Sequence, residues 1–166
     1  MKKCLTVVML ALLLAGCSEP KSFETMSDHY YEPDLPAAAQ ISLALPEDAA
    51  VSVMENPLTG SIYLCDGYSV TVQTLSAGDL DATLRDTTGF SREKLLVMER
   101  EEHGNRRYEC VWAAAGEGED QVGRAVVLDD GSYHYVLTVM AGADRAGDLS
   151  ETWQQIIDSF ALSTAP

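Results

Sequence analysis

The chain has 166 residues, 46% of them hydrophobic, and 26 Asp and Glu against 11 Lys and Arg leave a formal charge of −15 at pH 7. So acidic a surface repels nucleic-acid phosphates and anionic headgroups alike, and Arg106-Arg107 is the only basic pair beyond Lys2-Lys3, which excludes direct nucleic-acid binding. Four cysteines and three histidines show no CxxC, HExxH or EF-hand spacing, so a zinc or calcium motif is missing from the sequence.

Lys2 and Lys3 precede an apolar run from Leu5 to Leu14, about ten residues, which suits a secretory signal and is too short to span a bilayer. The run closes on Leu14-Ala15-Gly16-Cys17, which resembles the lipobox of bacterial lipoproteins. The resemblance implies diacylglycerol on the Cys17 thiol, cleavage before Cys17 and acylation of its new amino group. Residues 1–16 are then a lipoprotein signal peptide, and the mature chain is lipid-anchored at the extracytoplasmic face of the cell membrane. The alternative is a conventional signal followed by an unrelated cysteine. Stable anchoring needs more than one acyl chain, each buried CH₂ contributing about 0.8 kcal/mol. Cleavage leaves nine Lys and Arg against 26 Asp and Glu, a formal charge of −17. That acidity serves solubility, or it meets a basic partner or the divalent cations of a cell wall.

Residues 17–39 carry Pro20, Pro33 and Pro36 and no apolar period, which predicts a flexible tether after the lipidated cysteine. As a coil it spans roughly 26 Å. Phe23, Met26, Tyr30 and Tyr31 are unusual there, and either pack onto the domain or take part in binding. Residues 40–166 are long enough for one domain with a single sizeable core.

Within that domain, Ile41, Leu43 and Leu45 predict a first strand ended by Pro46, and Val51 with Val53 a short second. Residues 61–65 and 68–75 flank Asp66-Gly67, a two-residue hairpin signal in which both turn positions favour positive φ. A helix follows over 78–88, with Ser76 and Asp79 as its N-terminal cap, Leu80 and Leu84 one turn apart, and Gly89 as its stop. Lys94 to Glu99 reads as a strand, and Glu101 to Asn105 as an exposed turn. A three-stranded meander over 107–115, 121–129 and 132–140 comes next, joined by the acidic turn 116–120 and by Asp130-Gly131. Tyr108, Cys110 and Trp112 share one face of its first strand; Tyr133, Tyr135, Leu137 and Val139 share a face of its last. Asp148 with Glu151 predicts the cap of a closing helix whose apolar stripe is Leu149, Trp153, Ile156, Ile157 and Phe160.

Strands interrupted by one helix and closed by another predict an α+β fold, an antiparallel sheet with helices packed on it. This order, with the ending from Glu151 to Phe160, resembles the PsbP-like group. That group includes the extrinsic P protein of photosystem II, a eukaryotic Ran-binding relative and many bacterial lipoproteins. The resemblance covers most of residues 40–162 and implies an accessory or binding subunit rather than an enzyme. Its tail motif is a core-packing pattern, so no site residue carries over.

Cys65 and Cys110 remain after processing, besides Cys17, and outside the cytoplasm they either form a disulfide or stand as two buried thiols. A bond would close a loop of about 45 residues and contribute roughly 4 kcal/mol. His29, His103 and His134 lack metal spacing, and His134, between two tyrosines on a strand, reads as a hydrogen-bonded sheet residue. Gly116, Gly118 and Gly123 have the wrong spacing for a phosphate loop, and Glu117, Glu119 and Asp120 would repel phosphate. The same acidic turn with Asp129-Asp130 offers at most loose carboxylate ligation of calcium. Neither Ser69 nor Ser91 sits in a GxSxG elbow. No cofactor, metal or catalytic residue is therefore assigned. The leading expectation is a binding or accessory module whose tyrosine-bearing sheet or loops contact an envelope protein or small ligand; the alternative is a hydrolase or isomerase acting in the envelope.

Overall fold

The computed structural model describes residues 35–52, 60–115 and 119–163. Cys17 and its lipobox, His29, Tyr30-Tyr31, Val53, Gly116, Glu117 and Gly118 lie outside the described residues. The expected α+β architecture is present, with nine strands and two α-helices among the described residues, in the order β1 (Gln40–Ser42), β2 (Ala50–Ser52), β3 (Gly60–Cys65), β4 (Tyr68–Ser76), α1 (Leu80–Thr88), β5 (Leu96–Glu102), β6 (Asn105–Ala114), β7 (Gln121–Asp129), β8 (Tyr133–Gly142), α2 (Ser150–Ser159) and β9 (Ala161–Ser163). Seven strands form one antiparallel sheet in the order β2-β3-β4-β8-β7-β6-β5, and β1 pairs with β9 in a separate ribbon. The chain leaves β4 through α1, crosses to the far edge at β5, and returns as a meander that ends with β8 beside β4. No helix among the described residues is long and apolar enough to cross a membrane.

Period-two alternation gives the sheet two apolar faces, and each receives a helix. On one side Val70, Val126, Leu128, Leu137 and Val139 meet the stripe Trp153, Ile156, Ile157 and Phe160 of α2, with Ile41, Leu43 and Leu45 packed at the margin. On the other side Tyr108, Cys110, Trp112, Ala125 and Val127 meet Leu84 of α1. Trp112 leaves no room opposite it: its indole lies over Gly123, the directly paired residue of β7, where a Cβ would collide with the ring. Gly123 therefore serves packing within a strand.

Two caps differ from the sequence expectation. Ser76 closes β4, and Asp79 caps α1 itself, its Oδ1 accepting from Asp81 N at 3.0 Å. Gly89 ends the helix as expected, at φ 78° with its N–H on Arg85 O. At α2 the Asp148–Glu151 pair is not used. Carbonyls of Arg145 and Gly147 accept from Asp148, Leu149 and Ser150 in the preceding turn, and no side chain caps the helix. In the Asp66-Gly67 hairpin only Gly67 takes positive φ, 79°, while Asp66 donates its N–H to Asp48 Oδ2 at 3.1 Å.

The stretch expected as an exposed turn over 101–105 is shorter. Glu101 and Glu102 belong to β5, and the turn is His103-Gly104 alone, at φ 53° and 83°, as a two-residue hairpin of this hand requires. The ribbon strand β9 had no sequence signal at all.

Candidate binding surfaces

The tyrosines expected to offer a contact surface hold the fold together instead. Tyr135 is fully buried; its hydroxyl donates to Asp130 Oδ2 at 2.9 Å and accepts from Ala39 N at 2.7 Å. Tyr133 donates to Pro36 O at 2.8 Å. Residues 36–39 are thus fastened to the end of β8. Buried Tyr108 faces α1.

The acid and base groups at this end of the sheet are likewise engaged internally. Burial would raise Asp130, but bonds from Ser132 N, Tyr133 N and the Tyr135 hydroxyl outweigh it and hold the carboxyl below its ordinary range. Asp129 accepts from Arg106 Nη2 and Gly131 N, both at 2.8 Å. His134 is buried with Nδ1 2.8 Å from Thr83 Oγ1 of α1, and burial pushes its pKa down against the pull of Asp129. The acidic turn and Asp129-Asp130 stand at opposite ends of the nine-residue β7, about 30 Å apart, so they do not share one ion. Glu119 instead meets Asp144, whose carboxyl raises the Glu119 pKa.

Both cysteines are free thiols, which corrects the disulfide expectation for Cys65 and Cys110. Cys65 lies on β3 and Cys110 on β6, with β4, β8 and β7 between them. Four strand spacings separate the backbones by about 19 Å, against the roughly 7 Å a bridge allows. They also face opposite sides of the sheet. Burial pushes Cys110 up to about 11 and raises Cys65.

Arg107, invisible to motif reading, is 1% exposed on the α2 side of β6. Its guanidinium donates to Ile157 O at 2.9 Å, Phe160 O at 3.1 Å and Glu109 Oε1 at 2.8 Å. A cation here satisfies the orphan carbonyls at the C-terminus of α2, a helix with no basic residue in its own last turn. Arg100 joins the cluster at 3.0 Å from Glu109.

Among the described residues, two open surfaces bear on binding. Beyond Arg107 the α2 side of the sheet continues over β6 and β5 without a covering helix. Leu96, Val111 and Arg124 are paired across three strands, as are Met98, Glu109 and Val126, so these side chains share the face that α2 covers elsewhere. Leu96, Met98 and Val111 are 83%, 59% and 52% exposed. A groove of about 70 Å³ runs between them and Ile157, with Arg124 in it, whose hydrogen bond among the described residues goes to the neutral Gln154 at 3.0 Å. β5 is also an edge strand: Glu99 to Glu102 charge one half of it, and Leu96 to Met98 leave the other half bare.

The second opening is a cleft of about 400 Å³ between β9 and the hairpin turns. His103, Asn105 and Asp130 form one wall and Ala161, Leu162 and Ser163 the other. A smaller hollow of about 30 Å³ continues it beneath Glu102, Leu128 and Phe160.

No protein-family model matches this sequence, and no curated protein matches it. Solved structures do match the fold. The cyanobacterial PsbP protein CyanoP of Synechocystis sp. PCC 6803 superposes with TM-score 0.55 at 13% identity, over 74% of this chain and 86% of that one. The Ran-binding protein Mog1p of Saccharomyces cerevisiae gives 0.53 at 14%, over 74% and 89%. LpqN of Mycobacterium tuberculosis, involved in cell envelope biogenesis, gives 0.50 at 12%, over 78% and 86%. The chain therefore has a PsbP-like α+β fold, as its element order implied; at these identities the likeness concerns architecture.

Proposed function

We propose that the chain is a lipid-anchored, extracytoplasmic binding or accessory module without catalytic activity. Residues 1–16 direct export, Cys17 carries the lipid, residues 17–39 tether, with Pro36 to Ala39 fastened to the domain, and residues 40–166 bind a protein or small ligand of the envelope; no nucleic acid is involved. The observation that carries the binding role is the exposed apolar face Leu96–Met98–Val111 on a half-protected edge strand. Contiguous apolar surface of this kind, rimmed by polar groups, is characteristic of interaction sites, and burying it is the main gain available from association. The shared fold supports the same reading, since one neighbour binds Ran and another acts in envelope biogenesis. Fractionation tests the anchor: wild-type protein is expected in the membrane fraction and Cys17→Ala in the soluble one. Unchanged membrane retention of Cys17→Ala would overturn it.

A further inference from the structure

We infer, resting on the reading of this face as a binding surface, that the bare side of β5 and β6 takes an amphipathic helix of a different protein, laid beside α2 with one carboxylate toward Arg124. Val111 decides the kind of element. It stands on β6, which is hydrogen-bonded to a strand on either side, so its 52% exposure is open only above the sheet. A strand added at the free edge of β5 would leave Val111 and Arg124 uncovered, whereas an element lying on the face covers both. From β7 to β5 is two strand spacings, about 10 Å and the width of one helix, and α2 already lies over the adjoining strands. Leu96 and Met98 stand about 7 Å apart on one face of β5, close to the rise of about 6 Å between residues i and i+4 of a helix. Two to three turns of an apolar stripe therefore cover the patch.

Charge narrows the partner further. Arg124 is half-buried in the groove and forms no ion pair among the described residues. Its Nη2 donates to Gln154 Oε1 of α2, whose amide nitrogen donates onward to Asp158, so one neutral acceptor meets a guanidinium with five N–H donors. The neighbouring charges on this face are matched among themselves, Glu102 and Glu109 with Arg100 and Arg107. Arg124 is thus a cation left to meet an incoming group, and a carboxylate fits its planar fork through two parallel bonds. One carboxylate suffices, because a chain of formal charge −15 repels a broadly acidic segment. The described helices of a second copy do not supply this stripe. Both α1 and α2 turn their apolar sides onto their own sheet and expose Arg85, Asp86, Glu151, Gln154, Gln155 and Asp158.

The test is photo-crosslinking from position 98 of the full chain in growing cells, with the adduct digested and its attachment point sequenced by mass spectrometry. The expected attachment lies in another protein, in a segment with apolar residues at i, i+4 and i+7 and an Asp or Glu flanking that stripe. Arg124→Gln is expected to lower the adduct yield about fivefold, and Arg124→Glu to abolish it. Changing the mapped acid of the partner to arginine should then restore the yield of Arg124→Glu, a rescue that a misfolded domain would not show. Attachment to a second copy of this chain or to a segment without that spacing, a yield indifferent to Arg124→Glu, or failure of the rescue would overturn the helix and its carboxylate while leaving the binding surface standing. Absence of any adduct from position 98 would remove the surface itself, and the helix with it.

Discussion

Strands β4, β8 and β7 carry packed side chains against a covering element on each face, whereas β6 and β5 are closed only on the side of α1. In the first region Val70, Val126, Leu137 and Val139 are fully buried under α2. In the second, Val97 and Leu95 still pack beneath α1, but on the opposite face Val111, Met98 and Leu96 grow steadily barer toward the edge. A helix about 10 Å across covers roughly two strand spacings, so one ten-residue helix cannot roof seven strands. The roof stops at Arg107, which both fastens the end of α2 and replaces apolar packing with charge. The difference teaches that exposed leucine and methionine here are a feature of an unroofed sheet, with the same face completed by hydrophobic burial one strand away.

Substitutions on the two sides of that boundary should diverge sharply. Trp153→Ala, in the roofed region, is expected to cost about 3–5 kcal/mol in urea unfolding, while Leu96→Ala stays within about 0.5 kcal/mol. Similar losses for both would erase the distinction. Arg107→Met tests the boundary itself: it leaves Glu109, Ile157 O and Phe160 O without their buried donor, and is expected to cost about 3–5 kcal/mol, with amide exchange accelerated first at the end of α2. An unaltered exchange pattern there would show that Arg107 does not pin the helix.

Gly123→Ala sharpens the account of the α1 side, since a methyl under Trp112 forces the indole away; a loss of about 1–3 kcal/mol is expected, relieved by Trp112→Leu in the same chain. The smallest effect concerns pH. Burial holds His134 below 6.5 in the folded state, so the unfolded chain protonates first on acidification. Its contribution to stability is complete above about pH 6.5 and is lost as pH falls toward the folded value, by no more than about 1.4 kcal/mol per pH unit. His134→Gln should flatten that slope between pH 7 and 5; identical slopes would contradict it.

Much of this fold was legible because each strand of the meander is long enough to show its alternation. Tyr108, Cys110 and Trp112, and separately Tyr135, Leu137 and Val139, declared their shared faces, and the stripe of α2 declared the roof. What failed was information that lives between elements. The insertion of β8 beside β4 sets Cys65 and Cys110 four strands apart, and no local pattern records strand order. Glu101 and Glu102 read as part of a turn because an edge strand wears its charges outward, which shifted the expected turn. β9 has three residues, too few for a period, and so the cleft it walls was hidden as well. The tyrosines were correctly placed on strands but misread in purpose, because a hydroxyl looks the same in sequence whether it meets Asp130 or a ligand.

The most direct measurement places a photo-crosslinking amino acid at position 98 in growing cells, with position 86 on the outer surface of α1 as control. The account predicts one discrete adduct from position 98, none from position 86, and loss of the adduct when Leu96→Asp is added while the melting temperature holds. A chain that forms no adduct from position 98, or the same adducts from both positions, would contradict the claim that the unroofed face of β5 and β6 is a binding surface.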